Sequence, residues 1–285
     1  MLGTQPITKV IRERSSIRKY AARELPGEVF SRVDEILASE NVGPFGNRSR
    51  FWLVDTESYR EDPVRLGTYG WISGARYFIA GAIVKESQMN LEDFGFVMEK
   101  KILQFARMGL GTCWIGGTFR RSEYAKTGSL LPGEVIPCIT PIGYPAVKKG
   151  ARERVIKFFA RAKTRKRWDQ LFFDYSPDAS LSPESAGRFA EPLEMVRLAP
   201  SANNAQPWRI FRDGDRFHFY LSRKTVVTEA VKAVDLQRID MGIAMSHFEL
   251  ASKELEIQGN WRVSTPPEKF VKAGEYICTF YPSMV

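Results

Sequence analysis

The chain has 285 residues, 44% hydrophobic and 26% charged, a globular balance at a length that buries roughly three quarters of the unfolded surface. Its longest apolar run, Tyr77–Val84, falls short of the ~20 residues that cross a bilayer, and no apolar signal segment opens the chain, so a cytoplasmic protein with no membrane partner is expected. Three cysteines without CxxC spacing and two histidines read as reduced thiols with no structural metal.

In chain order, the first notable segment is Arg14-Ser15-Ser16-Ile17-Arg18-Lys19-Tyr20, which alternates arginine with a hydroxyl. An amphipathic helix is predicted over Val29–Leu37, followed by a Pro44-Phe45-Gly46-Asn47 turn and a strand-like run, Phe51–Val54. From Asp93 onward Phe96, Val97, Ile102, Leu103 and Phe105 recur with helical period. Gly109, Gly111, Gly116 and Gly117 come after that helix, not before one, so they form no P-loop, and no GxGxxG follows a strand. Gly111 reads as the helix C-cap, and Cys113 as buried packing in the turn to the next strand.

Between Lys148 and Arg167 lie ten basic residues against one acid, Glu153; the remainder of the chain balances at 32 of each sign, so this strip carries all of the net +9. Such a strip binds an anion or is a solvated helix face; no nucleic-acid motif accompanies it, and a nucleic-acid partner is not expected. A second helix is predicted over Leu193–Leu198, then a turn, then a strand over Trp208–Phe211. His218 falls in an alternating strand pattern and His247 in a helix that runs on from Asp240; both read as structural.

The chain repeats itself. Trp114 follows Asp93 by 21 positions and Trp261 follows Asp240 by 21; Trp52 follows Pro44 by eight and Trp208 follows Pro200 by eight. The halves close alike, on Gly143-Tyr144-Pro145 and Phe280-Tyr281-Pro282. Each half reads helix, loop, strand, helix, strand, an α+β layout, with the first copy over 1–173 and the second over 174–285.

Several of these segments resemble the FMN-dependent nitroreductase family. Arg14–Tyr20 resembles its N-terminal arm. Ala199-Pro200-Ser201-Ala202-Asn203-Asn204-Ala205-Gln206-Pro207-Trp208 resembles its flavin-contacting loop almost letter for letter. Gly109–Gly117 resembles its post-helix motif, and Lys163-Thr164-Arg165 its late basic pair. The resemblance implies a nitroreductase-like fold in two diverged copies, fused as an intramolecular pseudo-dimer. It also implies that Arg14, Ser16, Arg18, Lys163 and Arg165 face the FMN phosphate, where multidentate arginine suits a dianion. Pro200, Ser201 and Asn204 would contact ribityl and ring, Gly116 and Gly117 would present backbone amides to the ring edge, and Gln206 and Trp208 would anchor the loop. The intact loop lies in the second half and the other motifs in the first. The first-half loop is degraded to Pro44–Trp52, and Gln258-Gly259-Asn260-Trp261 stands where a second glycine motif belongs.

One FMN per chain is therefore expected, with NADH or NADPH as reductant and ping-pong transfer to a small aromatic or conjugated acceptor. The flavin carries the hydride chemistry, so no catalytic side chain is required. The family's polar ring contacts find no match within Gly67–Gly74, where Trp71 intervenes. A family dehydrogenase and a non-catalytic FMN-binding or storage protein are the competing readings, and a monomer is expected, because the family's usual dimer is completed within one chain.

Overall fold

The structure, a computed structural model, describes residues 5–59, 70–146, 164–223, 234–265, 267, 270 and 274–283. The first part of the chain contains α1 (Ile7–Glu13), α2 (Gly27–Ala38), β1 (Arg50–Asp55), β2 (Tyr77–Val84), α3 (Asn90–Arg107), β3 (Gly111–Thr112), α4 (Arg121–Thr127), β4 (Glu134–Val135) and β5 (Ile139–Gly143). The second contains β6 (Phe172–Asp174), α5 (Pro183–Ala186), α6 (Ala190–Leu198), β7 (Trp208–Asp213), β8 (Arg216–Leu221), α7 (Leu236–Glu254), β9 (Gly259–Arg262) and β10 (Glu275–Pro282). Among the described residues no helix is long and apolar enough to cross a membrane.

The strands form two sheets. One runs β1-β2-β5-β3, with β4 also on β2; the other runs β6-β7-β8-β10-β9. The path β7-β8-β10-β9 repeats β1-β2-β5-β3 strand for strand, and every pairing along both paths is antiparallel. β6 extends the second sheet, parallel to β7. The order helix, loop, strand, helix, strand lacks β2 and β8 before the long helices, and it gives one strand after each long helix where β3 and β5, or β9 and β10, follow. β2 is buried almost end to end, so alternation, the sequence signal of a half-buried strand, is lost there; β8, also largely buried, keeps the alternating pattern around His218.

α3 and α7 pack against each other through reciprocal glycines. A Cβ on Gly95 would collide with the Ile239 carbonyl, and one on Gly242 with the Glu92 carbonyl. Phe94, Phe96 and Ile102 of α3 join Ile243, Met245 and Phe248 of α7 in one apolar cluster with Phe217, Phe219 and Phe280 of the second sheet. The paired tryptophans are used alike: Trp114 Nε1 donates to Glu99 on α3 (2.7 Å), and Trp261 Nε1 to Glu249 on α7 (2.8 Å). His247 is structural. Its Nε2 lies 2.9 Å from the other Glu99 oxygen and its Nδ1 2.9 Å from the Met195 carbonyl, with no exposure.

One reading is corrected. Gly111 is not the C-cap of α3; it opens β3 with Ile17 packed against it. The left-handed turn falls on Gly109, φ +74°, while Gly109 N–H donates to Ala106 (3.0 Å) and Leu110 N–H to Phe105 (3.0 Å). Both glycines satisfy a C-cap pattern in sequence; where the last helical carbonyls find donors decides between them.

Candidate functional site

α1 delivers the arm, and the second half holds α1 in place. Glu254, at the end of α7, accepts from the Ile7 and Thr8 amides and from Thr8 Oγ1 (2.7 Å), capping an N-terminus whose own preceding residue, Pro6, offers no side-chain cap. A carboxylate there is favoured by the helix dipole. Arg12 adds a bidentate pair with Glu191 of α6. Beyond α1 the chain extends, and Ser16 bridges to Thr112 of β3 while Ile17 N–H donates to the Thr112 carbonyl at 2.8 Å. Arg14, Ser16 and Arg18 therefore run beside β3. The Ser16 hydroxyl meets the buried Cys113 thiol, and burial raises the pKa of that thiol although Arg18 and Arg14 oppose the rise.

The turn after α6 is the second component. Ser201 is extended, and Asn203 (φ 51°), Asn204 (54°) and Gln206 (46°) all take left-handed backbone. Asparagine tolerates that region; such residues persist where their surroundings over-determine them. Asp240 of α7 accepts from the Ala202 amide with both oxygens (3.0 and 3.2 Å), and Ser201 Oγ accepts from the Gln206 amide (2.9 Å). The segment 164–166 is stitched along the far side. Arg165 Nη1 donates to Asn204 Oδ1 (3.0 Å) and Nη2 to the Leu198 carbonyl (2.9 Å). Asn204 Nδ2 donates to the Thr164 carbonyl (2.7 Å), and the Lys166 amide to Gln206 Oε1 (2.7 Å). Gln206 is buried, as an anchor should be, and Trp208 is fully buried.

These two components converge. Burial pushes the Arg165 pKa down to about 10, with Arg14 and then Arg197 adding to the fall, so the arm arginine lies within electrostatic reach of the arginine that grips the Pro200–Trp208 loop. Arg14 Nε is itself buried without a hydrogen-bond acceptor. Guanidiniums within electrostatic reach of one another raise each other's free energy, and a bound dianion would relieve that cost.

The glycine turn forms the third component. Ile115 exchanges two backbone hydrogen bonds with Ile139 (2.9 Å each), and Arg121 donates to the carbonyls of Gly116, Ile136 (3.1 Å) and Pro137 (3.1 Å). Leu236, at the start of α7, lies where a side chain on residue 116 would go. Gly116 thus lies against the start of α7. Pro200 and Ser201 remain partly exposed beside the loop, whereas Asn204 turns its amide into the Arg165–Thr164 contact. Lys163, with the strip 148–163, lies outside the described residues.

Sequence reasoning missed Asp240 as a working part of this site. It served only as an alignment marker, yet its match with Asp93 was the available signal, because Asp93 ties the first loop in the same way through the amides of Phe45 (3.0 Å) and Asn47 (2.9 Å). Burial pushes the Asp240 carboxyl up to about 8 against the Ala202 amide, which lowers it.

The family described as "Putative TM nitroreductase" matches residues 6–252. The chain belongs to this nitroreductase family. A protein from Thermotoga maritima, a "putative nitroreductase" solved at 2.00 Å, superposes with a TM-score of 0.60 at 20% identity, over 97% of this chain and 93% of its own. A "Putative NADH dehydrogenase/NAD(P)H nitroreductase" from Methanothermobacter thermautotrophicus is 28% identical over 158 residues, 52% of this chain and 81% of its own length. A nitroreductase with bound FMN from Desulfitobacterium hafniense aligns at 20% identity over 51% of this chain and 93% of its own, with a TM-score of 0.40.

Proposed function

We propose that this nitroreductase-family chain is an FMN-dependent NAD(P)H:acceptor oxidoreductase, with one flavin site between two diverged copies of a nitroreductase-like unit, residues 1–173 and 174–285. The observation that carries the reading is the buried Arg14 Nε that lacks an acceptor, on an arm whose charge reaches the Arg165 that donates to the Asn204 side chain. That donor set fits a phosphate. Arg14, Ser16, Arg18 and Arg165, with Lys163, would hold the phosphate, and Pro200, Ser201 and Asn204 would orient ribityl and ring. The Gly116 and Gly117 amides would face the ring edge, where donors stabilise charge developing on reduction. The flavin, when bound, supplies hydride acceptance from NADH or NADPH and ping-pong donation to a small aromatic or conjugated acceptor. The name of the Methanothermobacter relative supports the choice of reductant.

The equal strand paths of the two sheets and the reciprocal Gly95–Gly242 approach support the two-copy reading. A single site is supported by the state of the first loop. Phe45 packs against the core, Asn47 is committed to Asp93 and Gln88 (2.8 Å), and Arg50 to Glu134 (2.7 Å). Because the family-type interface is internal, the protein is a monomer. Sedimentation equilibrium of FMN-reconstituted protein, read at the flavin and protein bands, tests both points: one chain mass and one flavin are expected. A flavin-dependent dimer or two flavins per chain would refute the pseudo-dimer or the single site, respectively. Anaerobic addition of NADH and NADPH is expected to bleach the flavin; bound flavin that neither nucleotide reduces would return the protein to a storage role.

A further inference from the structure

Of the six tryptophans, five are at least partly buried; Trp71 is 60% exposed. The two residues that follow it in the chain are anchored beside the candidate site. Ser73 donates to the Arg18 carbonyl (3.0 Å) and accepts from the Tyr20 amide (2.9 Å), which fastens this turn along the arm. Ile72 packs on the apolar cluster of Ile115 and Phe119, the two residues that bracket the Gly116–Gly117 turn. Gly70 (φ +78°) and Gly74 (φ +76°) close the turn on either side, and Gly74 sits so tightly on the Tyr20 carbonyl that no side chain fits. An indole is thus presented to solvent directly before Ile72 and Ser73, which tie the chain to the glycine turn and to the arm. A large apolar ring kept exposed next to anchored backbone is what a stacking contact needs, since less order remains to be imposed when a ligand arrives.

We infer that Trp71 is a specificity-determining residue that stacks on a planar, multi-ring acceptor at the rim of the flavin site. This rests on the flavin reading above. It narrows the acceptor class from small conjugated molecules in general to flat fused-ring molecules, and it assigns the preference to a side chain that contacts the acceptor rather than the flavin.

The test uses the FMN-loaded full chain as wild type, Trp71→Ala and Trp71→Phe, with 1,4-naphthoquinone as planar acceptor and ferricyanide as an acceptor that offers no face to stack. Loss of one aromatic contact should raise the naphthoquinone KM roughly five- to tenfold in Trp71→Ala, with Trp71→Phe restoring most of it. FMN affinity and ferricyanide turnover should not change. Equilibrium quenching of tryptophan emission by the quinone, measured without reductant, should be saturable in wild type and lost in Trp71→Ala. Flavin-loaded Trp71→Ala with an unchanged naphthoquinone KM, or with FMN affinity falling in step with it, overturns the stacking role alone. A wild-type chain that binds no FMN overturns the flavin reading and this inference together.

Discussion

The loops Pro44–Trp52 and Pro200–Trp208 occupy equivalent places before β1 and β7, and each is tied to an aspartate in the early turns of a long helix. Asp93 takes three donors, the amides of Phe45 and Asn47 and Asn47 Nδ2, all near 3 Å. Asp240 takes one, the Ala202 amide. Around the first loop the polar groups are turned inward or paired with one another, and a phenylalanine fills space against the core. Around the second, three non-glycine residues hold left-handed backbone, and the bracing comes from 164–166 across more than thirty residues of sequence, as in the Arg165–Leu198 contact. The anchor is alike in both places while the periphery differs. An anchor serves folding, whereas a strained, externally braced turn is the kind of place where ligand contacts concentrate.

The largest expected effect breaks this comparison at the ligand. Arg14→Ala combined with Arg18→Ala should weaken FMN binding at least about tenfold, since charge-assisted hydrogen bonds contribute roughly 1.5–3 kcal/mol each. Arg50→Ala, beside the first loop, should leave it unchanged. Flavin fluorescence titration reads both, and equal affinities in a folded double variant would return the arm arginines to ordinary surface charge.

Next come the anchors themselves. Asp93→Ala and Asp240→Ala should each lower stability in urea by about 1–3 kcal/mol through orphaned buried amides, Asp93→Ala more, because it strands three donors. Only Asp240→Ala should also reduce FMN affinity. A flavin loss shared by both variants would erase the functional contrast between the loops.

The smallest effect is one of pH. The folded Asp240 carboxyl holds its proton more tightly than the unfolded one, about 8 against an ordinary 3.8, so the native state binds more protons between those values. The contribution of this group to stability is therefore greatest below about pH 4 and falls as pH rises toward 8. Glu92, pushed up to about 7 by burial, acts in the same direction. Asp240→Asn keeps an acceptor for the Ala202 amide but removes the titration, and should flatten the decline seen in urea midpoints between about pH 5 and 8. An unaltered slope would show that Asp240 is ionised throughout.

What the amino-acid sequence determined by itself was whatever short-range spacing encodes. The apolar periods of α3 and α7 and the motif loop identified the elements and the family, and the equal Asp-to-Trp and Pro-to-Trp spacings pointed to equivalent positions in the two sheets; the residues of the candidate site were named from them. Three things were settled only when distant segments met. β2 carries no alternation because both of its faces are covered. The α3 cap passed from Gly111 to Gly109 according to which carbonyls found donors. The partners that hold Asn204 in place, Arg165 and Thr164, come from a distant segment, and Asp240 became the tie beneath the loop. Burial and hydrogen-bond partnership depend on which groups lose water together, and that is a property of the closed chain that no local window of sequence contains.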